Sequence, residues 1–283
     1  MIGKSDIVAF VSKIKALLRK KSRSRDLTPW LSEWPYDPAV VSARRIRGRD
    51  GREKIQIRLD LGILQMETAG RPDGQRPFGR DSLLDYFQEK AARFRKEFGG
   101  EEVFRLTHAE CLSLQREALQ YYHRFVALFY LKDFQGVIRD ASRNLRAVDF
   151  VKKYALEEKD AWNFEQFWPY LTMMQVRARA SLLLARRNFK KAEEVVLLGT
   201  ARVERFYLEH DQPEMLETSM VLAFLRKWAD EIRQSRPLSP MEKLQRELDE
   251  AVAHEDFERA AEIRDRIQEI QNLRKERISS REF

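Results

Sequence analysis

The sequence is poor in the residues that cross-link small proteins and in those that interrupt helices. Its 283 residues contain one cysteine, Cys111, which excludes an internal disulfide and a zinc site built from several cysteines. Only 11 Gly and 9 Pro occur, whereas 35% of the residues are charged. An all-β protein would need more turn residues than this. The composition therefore favours a mainly α (α+β) protein with long charged helices, kept in a reducing compartment.

Long hydrophobic runs are also missing. No stretch of about 18 consecutive apolar residues occurs, and Lys13 and Lys15 interrupt the apolar positions near the N-terminus. Hydrophobic residues make up 43% of the chain, which suffices for one large core or two modest cores. We expect a cytoplasmic protein with no membrane partner.

Positive charge is concentrated at the N-terminal end. The net charge is +8, and residues 1–54 hold 14 Lys/Arg against 6 Asp/Glu, whereas residues 240–283 hold 9 against 12. A basic region of this kind can contact nucleic acid, or it can be a solvated surface that keeps the protein soluble. The arginines that would contact phosphates beyond the first helix are Arg44, Arg45, Arg47 and Arg49.

The first two predicted segments are short. Residues 1–35 contain an amphipathic helix, at 4–21, and a basic linker; we expect its apolar stripe to pack on the body of the protein rather than on a membrane. Residues 36–80 predict a small β-hairpin with strands near 40–48 and 53–60, because Asp50-Gly51 is a typical two-residue turn.

A long polar loop follows the predicted hairpin, with a turn at Pro72-Asp73-Gly74. Long loops with several charged residues are either binding sites or structural connections, and the sequence leaves both interpretations open. The residues of this candidate loop site are Asp60, Glu67, Arg71, Asp73 and Arg76.

Residues 81–235 predict a bundle of helices. Asp81 opens the first helix, Thr107 and Glu110 have the spacing of a capping box, and the last helix runs from Pro213 to about Ser235. His108, Glu110 and Cys111 are close in sequence, but this stretch is explained more simply as a helix start than as a metal site. We therefore expect no metal and no cofactor.

Two segments of this bundle resemble each other. "KDFQGVIRD" at 132–140 and "RNFKKAEEV" at 187–195 each follow a long apolar helix with a capping Asp or Asn, a Phe and then a small residue. Each segment predicts an αα-hairpin, and the pair resembles tetratricopeptide-type repeats. The two Phe residues are 55 positions apart, however, whereas the repeat period of that family is about 34.

Aromatic residues cluster at 162–174, in "WNFEQFWPYLTMM". They could line a ligand or peptide groove, or they could form core packing at the start of a long helix.

Residues 236–275 predict a helical hairpin, followed by a tail at 276–283. Ser239, Pro240 and Glu242 form a helix start, the chain turns at His254-Glu255, and Asp256 caps a second helix. Two helices of this length bury too little apolar surface to be firmly stable alone, so a partner or the rest of the chain must cover the remaining face.

The stretch "LQRELDEAVAHEDFERAAEIRDRIQEI" in this hairpin resembles the UVR motif, by which the excision-repair proteins UvrB and UvrC bind each other. The motif also occurs in McsA-type kinase activators, and a related segment occurs in ClpC-type chaperones. The domain order is similar to that of bacterial proteins of unassigned biochemistry that join a stretch like "IQIRLDLGILQMETAGRPDGQRP" to a UVR motif.

The resemblance to the UVR motif implies a hairpin that pairs with another such hairpin, on a UvrB/UvrC-like or Clp-like partner or on a second copy. The predicted partner-binding residues are Leu244, Leu248, Ala251, Phe257, Glu258, Ala260, Ala261, Arg264, Asp265 and Ile267.

No catalytic motif is present in the sequence: it has no P-loop, no glycine fingerprint and no HExxH. The favoured function is therefore a non-enzymatic bacterial adaptor that binds a repair or stress-related protein through the hairpin. The alternative is a nucleic-acid-associated accessory protein in DNA repair that uses the basic N-terminal region, and a small enzyme at the 60–76 loop is a third hypothesis. The salt dependence of binding distinguishes the adaptor from the nucleic-acid-associated protein, because phosphate binding weakens steeply with ionic strength.

Overall fold

The computed structural model describes residues 26–99, 104–237 and 240–279. The chain divides into two compact units, Met1–Arg226 and Lys227–Phe283. The amphipathic helix expected at 4–21 lies outside the described residues.

The first unit begins with a short helix and a small sheet. The helix is α1 (Thr28–Ser32), and the strands are β1 (Ala43–Arg47), β2 (Glu53–Leu59) and β3 (Gly62–Glu67). β2 lies in the centre and pairs with both neighbours in antiparallel register. Ile55 and Ile57 are buried on one face of β2, and Lys54, Gln56 and Arg58 are buried on the other, so both faces of the central strand are covered.

The predicted two-stranded hairpin is thus one strand short. Residues 60 and 61 form the tight connection to β3, in which Leu59 pairs with Gly62. Asp60-Leu61 carries no glycine or asparagine, so nothing in the sequence marks this turn. The predicted turn at Asp50-Gly51 is present, but it is wider than two residues, because strand pairing already ends at Arg47 and Glu53.

Helices make up most of the rest of the first unit, as the composition predicted. After a 3-10 turn at Pro77–Gly79, they are α2 (Leu83–Phe98), α3 (His108–Tyr130), α4 (Phe134–Tyr154), α5 (Glu158–Glu165), α6 (Trp168–Ala185), α7 (Phe189–Glu209), α8 (Met215–Thr218) and α9 (Met220–Ser235), the last of which crosses into the second unit.

Local capping signals account for most of these helix starts. Thr107 and Glu110 form the predicted capping box at the start of α3. The α2 helix begins one residue later than predicted, because the hydroxyl of Ser82, not Asp81, accepts the backbone N–H of Asp85 at 3.1 Å.

The helix predicted over Pro213–Ser235 is interrupted at Ser219. This residue is 3% exposed, has extended backbone angles and separates α8 from α9. Its hydroxyl lies 3.0 Å from the hydroxyl of Tyr207 and accepts the backbone N–H of Leu222 at 3.4 Å. Ser219 thereby caps α9, and the break is stabilised by a tertiary contact that periodicity does not reveal.

The long helices pack as consecutive antiparallel neighbours. α4 lies between α3 and α6, and α6 packs against α7. A Cβ atom at Gly199 of α7 would lie 2.4 Å from Cγ2 of Val176 on α6, so only glycine permits this close approach. The two predicted αα-hairpins are present as α3–α4 and α6–α7, and a relation to tetratricopeptide repeats stays a prediction.

A buried carboxylate joins the helices to the loop that precedes α2. Glu117 on α3 is fully buried and accepts the backbone N–H groups of Leu83 and Leu84 at 2.7 and 3.3 Å. It also forms an ion pair with Arg143 on α4. The carboxylate therefore satisfies donors at the start of α2 that the helix itself cannot pair.

The second unit contains the C-terminal hairpin, α10 (Pro240–Ala253) and α11 (Phe257–Ser279). Within the residues that the structure describes, no helix combines the length and apolar character needed to cross a bilayer.

Candidate partner-binding site

The turn of the C-terminal hairpin is built by two consecutive residues, Glu255 and Asp256. Glu255 takes the left-handed conformation with φ of 58°, which reverses the chain after α10. The backbone N–H of Asp256 then bonds to the carbonyl of Ala251 at 2.9 Å, and its carboxylate accepts the N–H of Arg259 at 3.1 Å. This Schellman-type ending followed at once by an N-cap explains why the two helices are antiparallel.

The same turn occurs twice in the helical body. Lys132 and Arg187 are left-handed, with φ of 59° and 55°, and each precedes a capping Asp133 or Asn188. The similarity between the segments at 132–140 and 187–195 therefore extends to a third segment, "EDF" at 255–257. The signal that would have shown it is a capping Asp or Asn placed before Phe.

One face of the hairpin forms its own small core. Ala251 on α10 packs with Ala260, Ile263 and Ile267 on α11, and each of the four is between 6 and 8% exposed. Met241, Leu244 and Leu248 are partly buried against this cluster. These residues form the apolar stripe that the sequence predicts, and their packing holds the two helices together.

A second apolar surface lies on the outside of the hairpin. Phe257 is 69% exposed and Val252 is 51% exposed. They border a cavity of about 670 Å³, which we name the outer groove. Its lining residues are Leu248, Asp249, Val252, Ala253, Phe257, Ala260, Ala261 and Arg264.

The charged residues of the outer groove lie on opposite helices. Asp249 belongs to α10 and accepts a hydrogen bond from the amide of Gln245 at 3.1 Å. Arg264 belongs to α11 and lies 3.6 Å from the carboxylate of Asp265, with both side chains about two thirds exposed or more. The α10 side of the groove thus carries a negative charge and the α11 side a positive charge.

The ten predicted partner-binding residues therefore divide into groups. Leu244, Ala251 and Ile267 belong to the hairpin core, and Leu248 and Ala260 contribute to both the core and the outer groove. The three predicted residues that line the groove without joining the core are Phe257, Ala261 and Arg264.

Glu258 and Asp265 are exposed and lie outside the lining of the groove. Three lining residues were not predicted as site residues: Asp249, Val252 and Ala253. Val252 follows Leu248 by four positions on an otherwise charged helix, and that spacing could have indicated it.

Arg71 and Asp73 of the candidate loop site lie close together. Their guanidinium and carboxylate are 3.1 Å apart, and Nε of Arg71 lies 3.6 Å from the buried carboxylate of Glu117. The side chain of Arg71 is only 13% exposed. This part of the loop is joined to the helical body.

The other candidate loop residues are held in separate places. Glu67 ends β3 and forms an ion pair with Lys54 on β2. Arg76 pairs with Asp81 at 2.9 Å on the surface, and Asp60 lies in the β2–β3 turn. A binding function of this loop stays a prediction.

Two of the arginines considered for phosphate binding are engaged within the first unit. Arg44 donates to Gln56 at 2.8 Å and lies over the ring of Trp34. Arg45 forms ion pairs with Glu53 and Asp133. Nucleic-acid binding by the basic region stays a prediction, and residues 1–25 lie outside the described part.

The aromatic cluster contributes both to the core and to a cavity. Phe164 is 4% exposed, whereas Phe167 is 51% exposed. Together with Tyr170 they line an apolar cavity of about 640 Å³ among α3, α4, α5 and α6, in which Leu119 and Tyr122 of α3 form the facing wall. The segment therefore contributes to core packing and to the wall of a cavity, and binding of a ligand or peptide there stays a prediction.

Cys111 is not activated as a nucleophile. Burial, reinforced by the negative charges of Asp160, Glu110 and Glu157, raises the pKa of the thiol to about 12. The residue is 2% exposed on the inner face of α3. At neutral pH it is a protonated core side chain.

Comparison with known proteins identifies one segment of the chain. Residues 239–273 match the family model described as UvrB/uvrC motif, UVR. The match covers α10, the turn and α11 as far as residue 273, so the predicted UVR motif is confirmed. No curated protein and no solved structure matches the chain.

Proposed function

We propose that this chain, which carries a UVR motif at residues 239–273, is a non-enzymatic adaptor that binds another protein through the outer groove. The observation that carries the proposal is the exposure of Phe257 and Val252, 69% and 51%, on the border of one apolar groove. Large apolar side chains gathered in one exposed patch are typical of interaction surfaces, and aromatic residues at their centre often dominate affinity.

The shape of the groove favours a helical partner. Ala253 and Ala261 lie on its two sides, and small residues permit close approach of a third helix. Asp249 and Arg264 would pair with opposite charges on that helix and select its direction. A second UVR-type hairpin, on a repair protein, on a Clp-type chaperone or on another copy of this chain, has the required helical form.

The core of the hairpin remains covered in this arrangement. Ala251, Ile263 and Ile267 already pack inside the hairpin, so the partner needs to cover only the outer surface. Binding of a preformed hairpin has a smaller ordering cost than binding coupled to folding. We therefore expect the hairpin to bind its partner without a change in its own helix packing.

Site-specific photo-crosslinking of the full chain in the cells that produce it tests this proposal. A benzophenone amino acid would replace Phe257, and the matched control would replace Phe78, which is also 69% exposed but lies in the first unit. We expect discrete crosslinked proteins from position 257 that are missing from position 78. Equal products from both positions would contradict docking at the hairpin.

A pair of point variants checks the energetics. Phe257→Asp places a carboxylate at the first position of α11, where the helix dipole stabilises it, so the hairpin should stay folded. We expect this variant to lose the partner crosslinked at 257, by at least tenfold in affinity, while Phe78→Asp retains it. Retention of the partner by Phe257→Asp, with unchanged circular dichroism, would refute the proposal.

A further inference from the structure

Three side chains that are distant in sequence meet at the starts of two helices. His108 is the first residue of α3, and Glu157 and Asp160 lie at the start of α5. One nitrogen of His108 and one oxygen from each carboxylate lie within 4.8 Å of one another. His108 and Glu157 are exposed, whereas Asp160 is buried beneath them.

The backbone fixes this cluster from both sides. The segments before the two helices form a parallel β-bridge between Leu106 and Ala155. The N–H of Leu106 donates to the carbonyl of Tyr154 at 2.7 Å, and the N–H of Leu156 donates to the carbonyl of Leu106 at 3.1 Å. His108 lies two residues after Leu106, and Glu157 lies two residues after Ala155. The two parallel segments therefore place His108 and Glu157 next to each other.

Asp160 has one oxygen that lacks a partner. Its side chain is 2% exposed, and Oδ1 lies 2.8 Å from Nδ1 of His108. Oδ2 is also buried, and no hydrogen-bond donor within the described residues reaches it. Buried carboxylate oxygens are nearly always paired with a donor or a cation, so this oxygen requires a partner.

The surroundings provide no protein cation for this oxygen. Glu110, the other carboxylate near the start of α3, accepts from Lys90 at 3.0 Å and from the backbone of Thr107. Among the described ion pairs, Asp160 has His108 as its partner and neither a lysine nor an arginine. An external cation would satisfy the second oxygen and the exposed carboxylate of Glu157 together.

We propose that His108, Glu157 and Asp160 bind a divalent first-row transition-metal ion, with Zn²⁺ as the reference ion. One imidazole nitrogen and two carboxylates suit such an ion, whereas Mg²⁺ and Ca²⁺ favour oxygen ligands alone. Three protein ligands leave a coordination position for water, as in open zinc sites. Tetrahedral ligands with bonds of about 2.0 Å are about 3.3 Å apart, so the ion would replace the hydrogen bond between Nδ1 of His108 and Oδ1 of Asp160, which are 2.8 Å apart. The exposed side chains of His108 and Glu157 can supply the necessary movement.

Binding would connect the starts of α3 and α5 through a metal bridge. Thermal unfolding of the full chain, first treated with a chelator and then measured with and without Zn²⁺, tests the site. Trp162 on α5 is one of the five tryptophans whose fluorescence follows the unfolding. At a hundredfold excess over its Kd, we expect the ion to raise the unfolding midpoint by about 5 to 10 °C. Binding of Co²⁺ should add a visible absorption band with a stoichiometry of one.

Conservative variants separate a metal site from a structural contact. Asp160→Asn and Glu157→Gln should abolish both the midpoint shift and the Co²⁺ band, whereas the neighbouring exposed Glu158→Gln should retain them. His108→Gln should lose them, and His254→Gln, an exposed histidine in the second unit, should not.

The chelated proteins give an additional readout. Asp160→Asn removes a buried charge with an unpaired oxygen, so without metal it should unfold at the same temperature as the parent or higher. If Asp160→Asn does not fold, Glu157→Gln decides the question, because its side chain is exposed. Equal Zn²⁺ shifts in parent and Glu157→Gln, no shift in the parent, or an equal shift with Mg²⁺ would each overturn the proposal.

Discussion

Arg124 and Asp140 form a fully buried bidentate ion pair between α3 and α4. Nε and Nη2 of Arg124 lie 2.7 and 2.9 Å from the two carboxylate oxygens, and each side chain is 1% exposed. The remaining terminal nitrogen of Arg124 donates to the backbone carbonyl of Glu67 at 3.0 Å. A single guanidinium thereby joins two helices and the end of the sheet.

Breaking this pair from one side should destabilise the first unit strongly. Asp140→Asn leaves the guanidinium buried without its counter-charge, so we expect a loss of about 3 to 5 kcal/mol in the free energy of unfolding. Arg124→Met with Asp140→Asn should cost less than the sum of the single variants, because no buried charge is left unpaired. Urea unfolding followed by circular dichroism measures all three.

An exposed pair in the same unit provides the control. Arg76 and Asp81 are 2.9 Å apart, but their side chains are 68% and 74% exposed. Arg76→Met should therefore change the free energy of unfolding by less than about 1 kcal/mol. Additive losses in the Arg124 and Asp140 double variant would show that the two side chains are not coupled.

Glu165 should make the first unit sensitive to acid. Burial alone raises its pKa, but hydrogen bonds from Lys152 and from His210, the latter at 2.9 Å, outweigh burial and hold the pKa of Glu165 below its ordinary value of 4.5. A depressed carboxyl pKa contributes stability that is present above pH 4.5 and is lost as the pH falls through the folded-state pKa. We expect Glu165→Gln to be less stable than the parent by about 1.5 kcal/mol at pH 7.

The difference between parent and Glu165→Gln should shrink as the pH falls below 4.5, because the parent carboxyl then becomes protonated as well. Urea unfolding at several pH values between neutral and acid measures the difference. Glu194→Gln, which changes an exposed carboxylate on α7, is the control and should show little difference at any pH. A Glu165→Gln deficit that stays constant down to pH 3 would show that its cause is not the carboxylate charge.

Helix starts could be predicted from the sequence because their signals are local. Thr107 and Glu110 form the predicted capping box, and Asp133 and Asn188 cap the helices that follow their turns. Such a signal depends on three or four neighbouring residues, which the chain itself places together. The UVR hairpin was predictable for the same reason, since its turn and caps lie within one short segment.

Contacts between distant residues could not be predicted in this way. Periodicity assigns charged residues to the solvent, yet Glu117, Arg124 and Asp140 are each buried. The meeting of His108 with Asp160 depends on how α3 and α5 are joined through their preceding segments. In the hairpin, the sequence gives two apolar stripes, but only the helix crossing decides that Ala251 faces inward while Val252 borders the outer groove.

The left-handed residue in the hairpin turn offers a direct test of how rigid the binding site is. Glu255 has φ of 58°, a conformation that costs a residue with a Cβ about 1 to 2 kcal/mol. Glycine is the favoured residue at this position after a helix. Glu255→Gly should therefore stabilise the hairpin by about 0.5 to 1 kcal/mol, after allowance for the greater freedom of glycine in the unfolded chain.

Hydrogen exchange of the α10 and α11 amides in the full chain measures this effect. We expect exchange to slow by about two- to fivefold in Glu255→Gly, which corresponds to that gain in opening free energy. Glu262→Gly, an exposed site inside α11, is the matched control and should speed exchange, because glycine weakens a helix interior by about 1 kcal/mol. If the partner docks on the preformed hairpin, Glu255→Gly should bind it at least as tightly as the parent. Faster exchange in Glu255→Gly would contradict the expected stabilisation of the hairpin. Slower exchange together with weaker binding would mean that the turn must open before the partner can dock.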